Sequence, residues 1–322
     1  MITFVLTPHG PFSFSQAVEV LRNFPPLRRH GKDIGDDGWL RMALPLDGDS
    51  GAVGLALRAE KDTLVVEAYG DGLDLASRAA TLKKQVARIF SLDVDGSDYP
   101  ALGRRDPKIG ALMKSFAGLR PVCFTSPYEA AVWAILSQRI TTTQAANILE
   151  RFVEKHGTAI DVRGKTVHAF PRPERLLQVE AIESVPALKL ERLRSIAEAA
   201  LDGKLSAARL RALGDVEAPA FLQTLPGIGP FWASGIYVRA CGVSDVFPEE
   251  PLSIAALGKL HDLGDRPAAS EVKELTDRYR PYRMWVCFLL RVAAARGAIA
   301  GVSSRATYLR AAFRPRARAK SA

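Results

Sequence analysis

The amino-acid sequence predicts an α+β N-terminal domain followed by an all-α region. The first hundred residues alternate between short apolar runs typical of strands and longer amphipathic runs typical of helices. From about Pro107 onward, the apolar residues recur almost wholly at helical spacing. A chain of 322 residues is long enough for two or three hydrophobic cores. We therefore expect more than one domain, with an α+β domain over 1–105, a helical region over 106–301 and a tail over 302–322.

Turns rich in Gly and Asp separate the apolar runs of the first domain. Between these turns, the alternation predicts two helices, near 14–24 and 75–89, and a set of short strands. The predicted strands cover Ile2–Leu6, Trp39–Leu44, Val53–Leu57 and Leu64–Tyr69. The pattern favours an antiparallel sheet covered by two helices.

Positive charge is concentrated in the later part of the chain. Residues 1–100 hold 11 Lys and Arg against 14 Asp and Glu, and the remainder holds 33 against 21. The stretch from Ser303 to Ala322 carries six basic and no acidic residues. Such an excess suits a phosphate-bearing partner, although many basic proteins bind no nucleic acid. The tail is interpreted as a phosphate-seeking extension or as a merely solvated segment.

The three cysteines, Cys123, Cys241 and Cys287, stand far apart among apolar residues, as buried thiols do. Neither a CxxC pair nor a dense His/Cys cluster is present, so no metal site or disulfide framework is expected. The N-terminal sequence lacks the pattern of a secretory leader, and no apolar run is long enough to span a membrane. These observations favour a cytoplasmic protein.

Residues 225–230, Leu-Pro-Gly-Ile-Gly-Pro, form a Gly-apolar-Gly turn between two helical patterns. Trp232 and Ile236 follow at helical spacing, and Pro230 suits a first helical position. Glycine permits a left-handed turn, and a helix N-terminus offers free N–H groups to an anion. The pattern predicts two helices joined by a hairpin, and the hairpin is expected to bind a phosphate group. The alternative is that the hairpin is an ordinary connection between helices.

A second helix is predicted to start at Ser126-Pro127-Tyr128-Glu129, where Ser126 can cap the helix and Glu129 can reach back to the cap. Its apolar face ends before the polar run 137–143. These polar residues face a ligand or form a solvated connection.

Four motifs in order resemble those of the helix-hairpin-helix DNA glycosylases. They are Trp133-Ala134-Ile135-Leu136-Ser137-Gln138, Leu225-Pro226-Gly227-Ile228-Gly229, Asp245-Val246-Phe247-Pro248 and Tyr279-Arg280-Pro281-Tyr282-Arg283. The chain is most similar to the bacterial 3-methyladenine DNA glycosylase II, or alkylation-repair, branch. The resemblance covers nearly the whole chain if the N-terminal block is that branch's TATA-binding-protein-like domain. It implies two helical subdomains in the helical region.

The resemblance implies base excision repair. A member of this family binds the minor groove of double-stranded DNA, flips a damaged nucleotide into a cleft and hydrolyses its N-glycosidic bond. We therefore expect a monofunctional glycosylase for alkylated purines of the 3-methyladenine type. It is expected to act as a nucleoid-associated monomer without metal or organic cofactor.

The resemblance also implies roles for individual residues. The position of the family's apolar wedge is held by Arg139, beside Gln138, which is expected to contact neighbouring bases. An electron-poor base is best held between aromatic rings; Phe231 and Tyr282 match the family's pocket, whereas Trp285 shares a helical face with apolar residues and is expected in the core. Trp232 is kept as a third pocket candidate. Contact with the DNA backbone is expected from Leu225, Gly227, Ile228 and Gly229.

The catalytic groups of the family are only partly present. Members that also cleave the strand carry a lysine two residues after the last hairpin glycine, and Phe231 stands there in this sequence. The family's catalytic aspartate falls on Pro251 when counted from the following helix, and on Glu250 when counted from Pro248. Glu250, with Glu249 in reserve, is thus the candidate catalytic carboxylate. The alternative is a protein that binds damaged DNA with little or no catalysis.

Overall fold

The computed structural model describes residues 1–31, 34–48, 51–70 and 72–302. The predicted basic tail from Ser303 to Ala322 lies outside the described residues. Among the described residues, no helix combines the length and apolar character that crossing a membrane requires.

The N-terminal sheet is antiparallel and has four strands in the order β1-β4-β3-β2. The elements of this N-terminal part of the chain are, in order, β1 (Ile2–Leu6), α1 (Phe14–Asn23), α2 (Arg28–Gly31), β2 (Leu40–Pro45), β3 (Ala52–Glu60), β4 (Thr63–Tyr69) and α3 (Leu75–Ile89). The predicted α+β fold is confirmed, because alternating apolar residues form the strands and the two longer periodic runs form α1 and α3.

The rest of the described chain is mostly helical, as predicted. Its elements are α4 (Tyr99–Arg105), α5 (Pro107–Ser115), α6 (Pro127–Leu136), α7 (Thr142–His156), β5 (Thr158–Val162), β6 (Lys165–Ala169), α8 (Pro173–Leu177), α9 (Ala187–Leu201), α10 (Ala207–Leu222), α11 (Pro230–Cys241), α12 (Pro251–Leu260), α13 (Ala269–Asp277) and α14 (Arg283–Ala295). Gly214, at φ +82° and ψ −177°, divides α10 into two helical pieces.

The hairpin of β5 and β6 is the main departure from the helical prediction. Its two strands pair antiparallel around a tight turn at 163–164. Ile160, Val162 and Val167 pack against Ala43 of β2 and against Trp39, the residue before β2, which buries the apolar face of the hairpin. Five-residue strands are shorter than the window over which helical periodicity is judged, so the preceding helix obscured them.

The described chain divides into two compact units that are discontinuous in sequence. Unit 1 comprises Met1–Asp98 and Gly118–Val243, and unit 2 comprises Tyr99–Ala117 together with the chain from Ser244 onward. These units are defined by contacts and do not follow the predicted limits at 105 and 301, which stay a prediction.

In unit 1, helix α6 is buried along its whole length. The predicted cap is present, since the Ser126 hydroxyl accepts a hydrogen bond from the Glu129 N–H at 3.1 Å. The Glu129 side chain does not reach back to the cap as predicted; it is fully buried, pairs with Arg29 and accepts from the Thr125 hydroxyl. A buried carboxylate requires such partners, because leaving it unpaired would cost several kcal/mol.

Buried arginines join distant backbone segments of unit 1. Arg88 donates to the Phe124 carbonyl at 3.1 Å and the Thr125 carbonyl at 2.6 Å, and it pairs with Asp47 at 2.9 Å. Burial raises the pKa of Asp47, while Arg88 opposes that rise. These contacts connect α3 with the segment that leads into α6.

The three cysteines are buried and free, as predicted. Burial raises the pKa of the Cys241 thiol to about 12 and also raises that of Cys123. Thiolate chemistry is therefore disfavoured at both residues.

Gly54 on β3 offers a test of the packing between the sheet and the second hairpin. A Cβ at this position would lie 2.4 Å from Val162 Cγ2 and 2.9 Å from Ile160 Cγ2. We expect Gly54→Ala to destabilise the protein by about 1–3 kcal/mol through overpacking. Gly235→Ala is the control, because its Cβ would meet only Trp232, at 3.9 Å, and alanine favours a helix by about 0.5–1 kcal/mol. The thermal unfolding midpoint should fall for the first variant and rise for the second.

Candidate functional site

The predicted hairpin lies between α10 and α11, with its backbone at the surface of unit 1. Leu225 and Ile228 are buried, and the Ile228 N–H donates to the Leu225 carbonyl at 3.1 Å. Gly227 and Gly229 are exposed. The two apolar side chains thus anchor the turn, and the two glycines leave its outer side without side chains.

The two hairpin glycines have different roles. Gly227 has φ +86°, and a Cβ there would lie 2.9 Å from both Arg192 Cδ and Ile135 Cδ1. Gly229 has φ −93°, with open space around a Cβ. Glycine is therefore required for folding at 227, whereas at 229 the fold alone does not require it.

Helix α11 begins at the hairpin without a capping side chain. Gly229 is the N-cap residue and makes no side-chain hydrogen bond, and Pro230 has no N–H. The N–H groups of Phe231 and Trp232 therefore remain available in the first turn. Free N–H groups at the positive end of a helix dipole are the groups to which phosphate binds in proteins.

Three cationic side chains lie close together beside the hairpin. Arg192 NH1 is 3.5 Å from Gln138 Oε1, and Lys189 Nζ donates to the Leu136 carbonyl at 2.8 Å and the Gln138 carbonyl at 2.6 Å. Burial and the charges of Arg139 and Arg192 lower the pKa of Lys189. No described carboxylate forms an ion pair with Lys189, Arg192 or Arg139. We call these three residues the cationic cluster; it concentrates unneutralised positive charge.

Lys189 and Arg192 were not predicted from the sequence. Both are on α9, three residues apart and thus on one face of the helix. Their spacing indicates that the two side chains share a face of the helix. Their contact with a loop about fifty positions earlier depends on tertiary packing, which the spacing does not reveal.

The loop that follows α6 carries the two predicted duplex-facing residues. Gln138 Nε2 donates to the Gly227 carbonyl at 2.8 Å, so the first and second motifs meet in unit 1. Arg139 is exposed and has φ +59°, a left-handed conformation that is uncommon for a non-glycine residue.

The predicted aromatic pocket residues are found in different units. In unit 1, Phe231 is 47% exposed, and its ring lies edge-on to Trp232 at 5.3 Å. In unit 2, Tyr282 is buried, and its ring lies 5.4 Å from Tyr99 and 5.2 Å from Trp285. Phe231 thus offers an open ring face within its unit, whereas Tyr282 belongs to an aromatic cluster. The burial of Trp285 agrees with its expected core position.

The candidate carboxylate Glu250 is buried at the N-terminus of α12. Its Oε2 accepts from the Ser253 N–H and hydroxyl, both at 2.7 Å, and its Oε1 pairs with Arg291 NH1 at 2.6 Å. The Ser253 hydroxyl is also 3.0 Å from the Cys287 carbonyl. Glu250 therefore joins α12 to α14 and keeps a fixed position. Glu249 is exposed.

The third and fourth motifs meet in unit 2, as the first two do in unit 1. Asp245 Oδ1 is 2.7 Å from Arg283 Nε, and Asp245 Oδ2 is 2.8 Å from Arg280 NH1. The Met284 N–H donates to the Ser244 carbonyl at 2.8 Å. These contacts fix the start of the segment that leads to Glu249 and Glu250.

No protein-family model matches the sequence. The sequence is similar to DNA-3-methyladenine glycosylase 2 of Escherichia coli (strain K12), with 31% identity over 213 residues. The aligned part covers 64% of this chain and 70% of that protein. The chain belongs to the helix-hairpin-helix DNA glycosylase superfamily. Membership of this superfamily accounts for the order of the four motifs.

Two further comparisons agree with this placement in the superfamily. The DNA-3-methyladenine glycosylase of Bacillus subtilis (strain 168) is 26% identical over 212 residues, which cover 64% of this chain and 70% of that protein. The solved structure of a 3-methyladenine DNA glycosylase from Archaeoglobus fulgidus has a TM-score of 0.74 at 22% identity. It covers 90% of this chain and 97% of its own. The structural likeness shows that the superfamily fold extends over nearly the whole chain.

The contacts of Glu250 predict a contribution to stability. Glu250→Gln removes the negative charge from the helix cap and from the pair with Arg291, so we expect a loss of about 1–3 kcal/mol. Glu249→Gln is the matched control at an exposed position, with an expected change within about 0.5 kcal/mol. Thermal unfolding measures both, and equal midpoints for the two variants would refute the structural role of Glu250.

Proposed function

We propose that this protein is a monofunctional DNA N-glycosylase that excises alkylated purines of the 3-methyladenine type from double-stranded DNA. The observation that carries the proposal is the exposed hairpin, with the uncapped N-terminus of α11 and the cationic cluster beside it. This arrangement suits a phosphate group. Two relatives that the chain matches over 70% of their length are named DNA-3-methyladenine glycosylases, which supports the reaction and the lesion class.

In this proposal, the hairpin holds one DNA strand through its main chain, at Leu225, Gly227, Ile228 and Gly229. Because the side chains of Leu225 and Ile228 are buried, these two residues contribute backbone groups only. Gln138 and Arg139 belong to the loop that meets the duplex where a base has left the stack. Flipping costs a few kcal/mol, which contacts in the vacated space offset.

The extruded base is proposed to contact aromatic side chains. A cationic alkylated purine is attracted to the negative face of an aromatic ring. Phe231 is the candidate with the most exposed ring, and Trp232 is its neighbour in the same helix turn. Tyr282 is the candidate in unit 2.

In hydrolysis of the N-glycosidic bond, the bonding electrons leave with the base, water adds a hydroxyl group to the sugar C1′, and the remaining proton of that water is released to solvent. Positive charge develops on the sugar, and a fixed carboxylate stabilises it. Glu250 meets the requirement of fixed geometry, because Ser253 and Arg291 hold both of its oxygens. Glu249 is the reserve candidate, with an exposed side chain. No metal or organic cofactor is required for this step.

Strand cleavage through a Schiff base is not part of the proposal. That route needs an amine near the sugar C1′, and Phe231 occupies the position that carries the lysine in strand-cleaving members. The sequence contains no lysine between Lys204 and Lys259.

One observation favours a second candidate function, a binder of damaged DNA with weak or no catalysis. Both oxygens of Glu250 already accept hydrogen bonds inside unit 2, so the carboxylate has less capacity to orient a water. The same hairpin and cationic cluster would serve this function.

An excision assay tests the proposal. Duplexes that carry 3-methyladenine, 7-methylguanine or hypoxanthine are incubated with the protein and analysed with and without hot alkali. Strand breaks that require alkali are expected, because hydrolysis leaves an abasic site. The absence of excision for every lesion, with tight lesion binding, would establish the binder instead. Breaks without alkali would overturn the monofunctional assignment.

Paired variants identify the carboxylate. Glu250→Gln should lower single-turnover excision by about 100-fold or more, since it removes a charge that stabilises the transition state, and Glu249→Gln should change it little. The assays are run well below the unfolding midpoint of each variant. If the Glu249 variant alone loses activity, the reserve residue is the catalytic one. If neither does, neither carboxylate acts on the sugar.

Gly229→Ser tests the anion site at the hairpin. A serine N-cap would accept from the free N–H groups of α11 and stabilise the helix by a few tenths of a kcal/mol. It would compete with a phosphate for those groups, so we expect about fivefold weaker DNA binding, or roughly 1 kcal/mol. Ala268→Ser adds the same cap to α13, which also lacks a side-chain cap, and should leave DNA affinity unchanged. Equal affinity for wild type and Gly229→Ser would contradict phosphate binding at this helix.

A further inference from the structure

The loop at 137–140 is held in place by protein contacts on both its main chain and a side chain. The Lys189 ammonium donates to the carbonyls of Leu136 and Gln138, at 2.8 and 2.6 Å. The Gln138 side chain crosses to the hairpin and donates to the Gly227 carbonyl at 2.8 Å. The loop, the hairpin and α9 are therefore joined at a single point.

Lys189 satisfies a requirement of the helix that precedes the loop. The last carbonyls of a helix lack internal partners, and they carry the negative end of the helix dipole. A half-buried ammonium with two carbonyl partners fulfils both needs. No described carboxylate pairs with it, so its charge acts on the backbone of this loop.

The amide of Gln138 makes one protein contact at its nitrogen and one at its oxygen. Its Nε2 binds the hairpin carbonyl, and its Oε1 lies 3.5 Å from Arg192 NH1. These contacts direct the amide toward the hairpin and α9, and they leave only its second N–H and the remaining lone pair of its oxygen for a base edge. The geometry therefore favours a role in which Gln138 acts through the loop.

Arg139 follows directly and keeps a left-handed backbone at φ +59°. A non-glycine residue retains such a conformation only when its surroundings fix it. Here the preceding carbonyl is bound by Lys189, and the preceding side chain is bound to the hairpin. The exposed Arg139 side chain thus follows directly on a residue whose main-chain carbonyl and side chain are both held by other elements.

We propose that Lys189 and Gln138 are positioning residues that fix this loop, so that Arg139 alone enters the DNA stack. Gln138 then sets the distance between the loop and the hairpin and does not read bases. The inference rests on the proposed function, since it assigns roles within the DNA-binding surface. It does not depend on catalysis, because the loop contacts the DNA before any bond is broken.

The test uses the full-length protein and a duplex with a tetrahydrofuran abasic analogue next to 2-aminopurine. Insertion of Arg139 unstacks the 2-aminopurine, and its fluorescence rises. The amplitude is measured at saturating protein, where changes in affinity no longer affect it. We expect Lys189→Met to reduce the amplitude about fivefold, Lys189→Arg to retain most of it and Gln138→Ala to match Lys189→Met. Lys165→Met removes an exposed lysine elsewhere in unit 1 and should leave the amplitude unchanged.

A double variant shows whether Lys189 and Gln138 fix the loop together or act independently. If Lys189 and Gln138 fix the same loop, Gln138→Ala with Lys189→Met should lose little more amplitude than either single variant. If the double variant instead loses amplitude by the product of the two single-variant factors, the inference is overturned. An unchanged amplitude for Gln138→Ala, with an altered preference for the base opposite the lesion, would instead assign base reading to Gln138.

The outcome is independent of the enzymatic proposal. A wild-type protein that unstacks the 2-aminopurine but excises no alkylated base would leave this inference standing and favour the binder. A wild-type protein that excises bases without unstacking the probe would overturn the inference and retain the glycosylase. Loss of signal only in proportion to the folded fraction, measured by circular dichroism, would also overturn it.

Discussion

The burial of α6 is the constraint on which the rest of the structure depends. A helix surrounded by protein must find partners for the free polar groups at both of its ends. Ser126 serves the first end, while the buried Glu129 beside it pairs with Arg29. Lys189 serves the last end. Because these partners come from other elements, the ends of α6 determine where α9 and the following loop lie, and hence where the cationic cluster forms.

Two possible roles of Glu250, capping a helix and orienting a water, place opposite requirements on its carboxylate. A capping carboxylate is most stabilising when all of its oxygens have donors, whereas a carboxylate that orients water needs a free lone pair. Ser253 and Arg291 satisfy the first demand. The hydrogen bonds from Ser253 and the ion pair with Arg291 leave the Glu250 side chain little conformational freedom. The same contacts that fix the group therefore limit the chemistry it can perform.

The sequence predicted those features that depend on local pattern. Strand alternation, helical periodicity, the cap at Ser126 and the left-handed glycine turn all follow from a few neighbouring residues. The hairpin of β5 and β6 escaped prediction because its short strands follow directly on a helix. The contacts of Lys189 with the loop after α6, and of Arg291 with Glu250, escaped because they join residues roughly forty to fifty positions apart. The paired motifs in each unit likewise depend on tertiary structure, which spacing alone does not reveal.

The discontinuity of unit 2 has a consequence for synthesis on the ribosome. Helices α4 and α5 are translated early, and their apolar residues Ile109 and Leu112 are buried in the finished protein. Their packing partners on α14 emerge only after residues 118–243 have been made. A nascent chain must therefore keep this short segment from aggregating while unit 1 is being completed. Unit 1 also requires both of its segments, so neither unit corresponds to a contiguous fragment that a protease or a gene truncation would release intact.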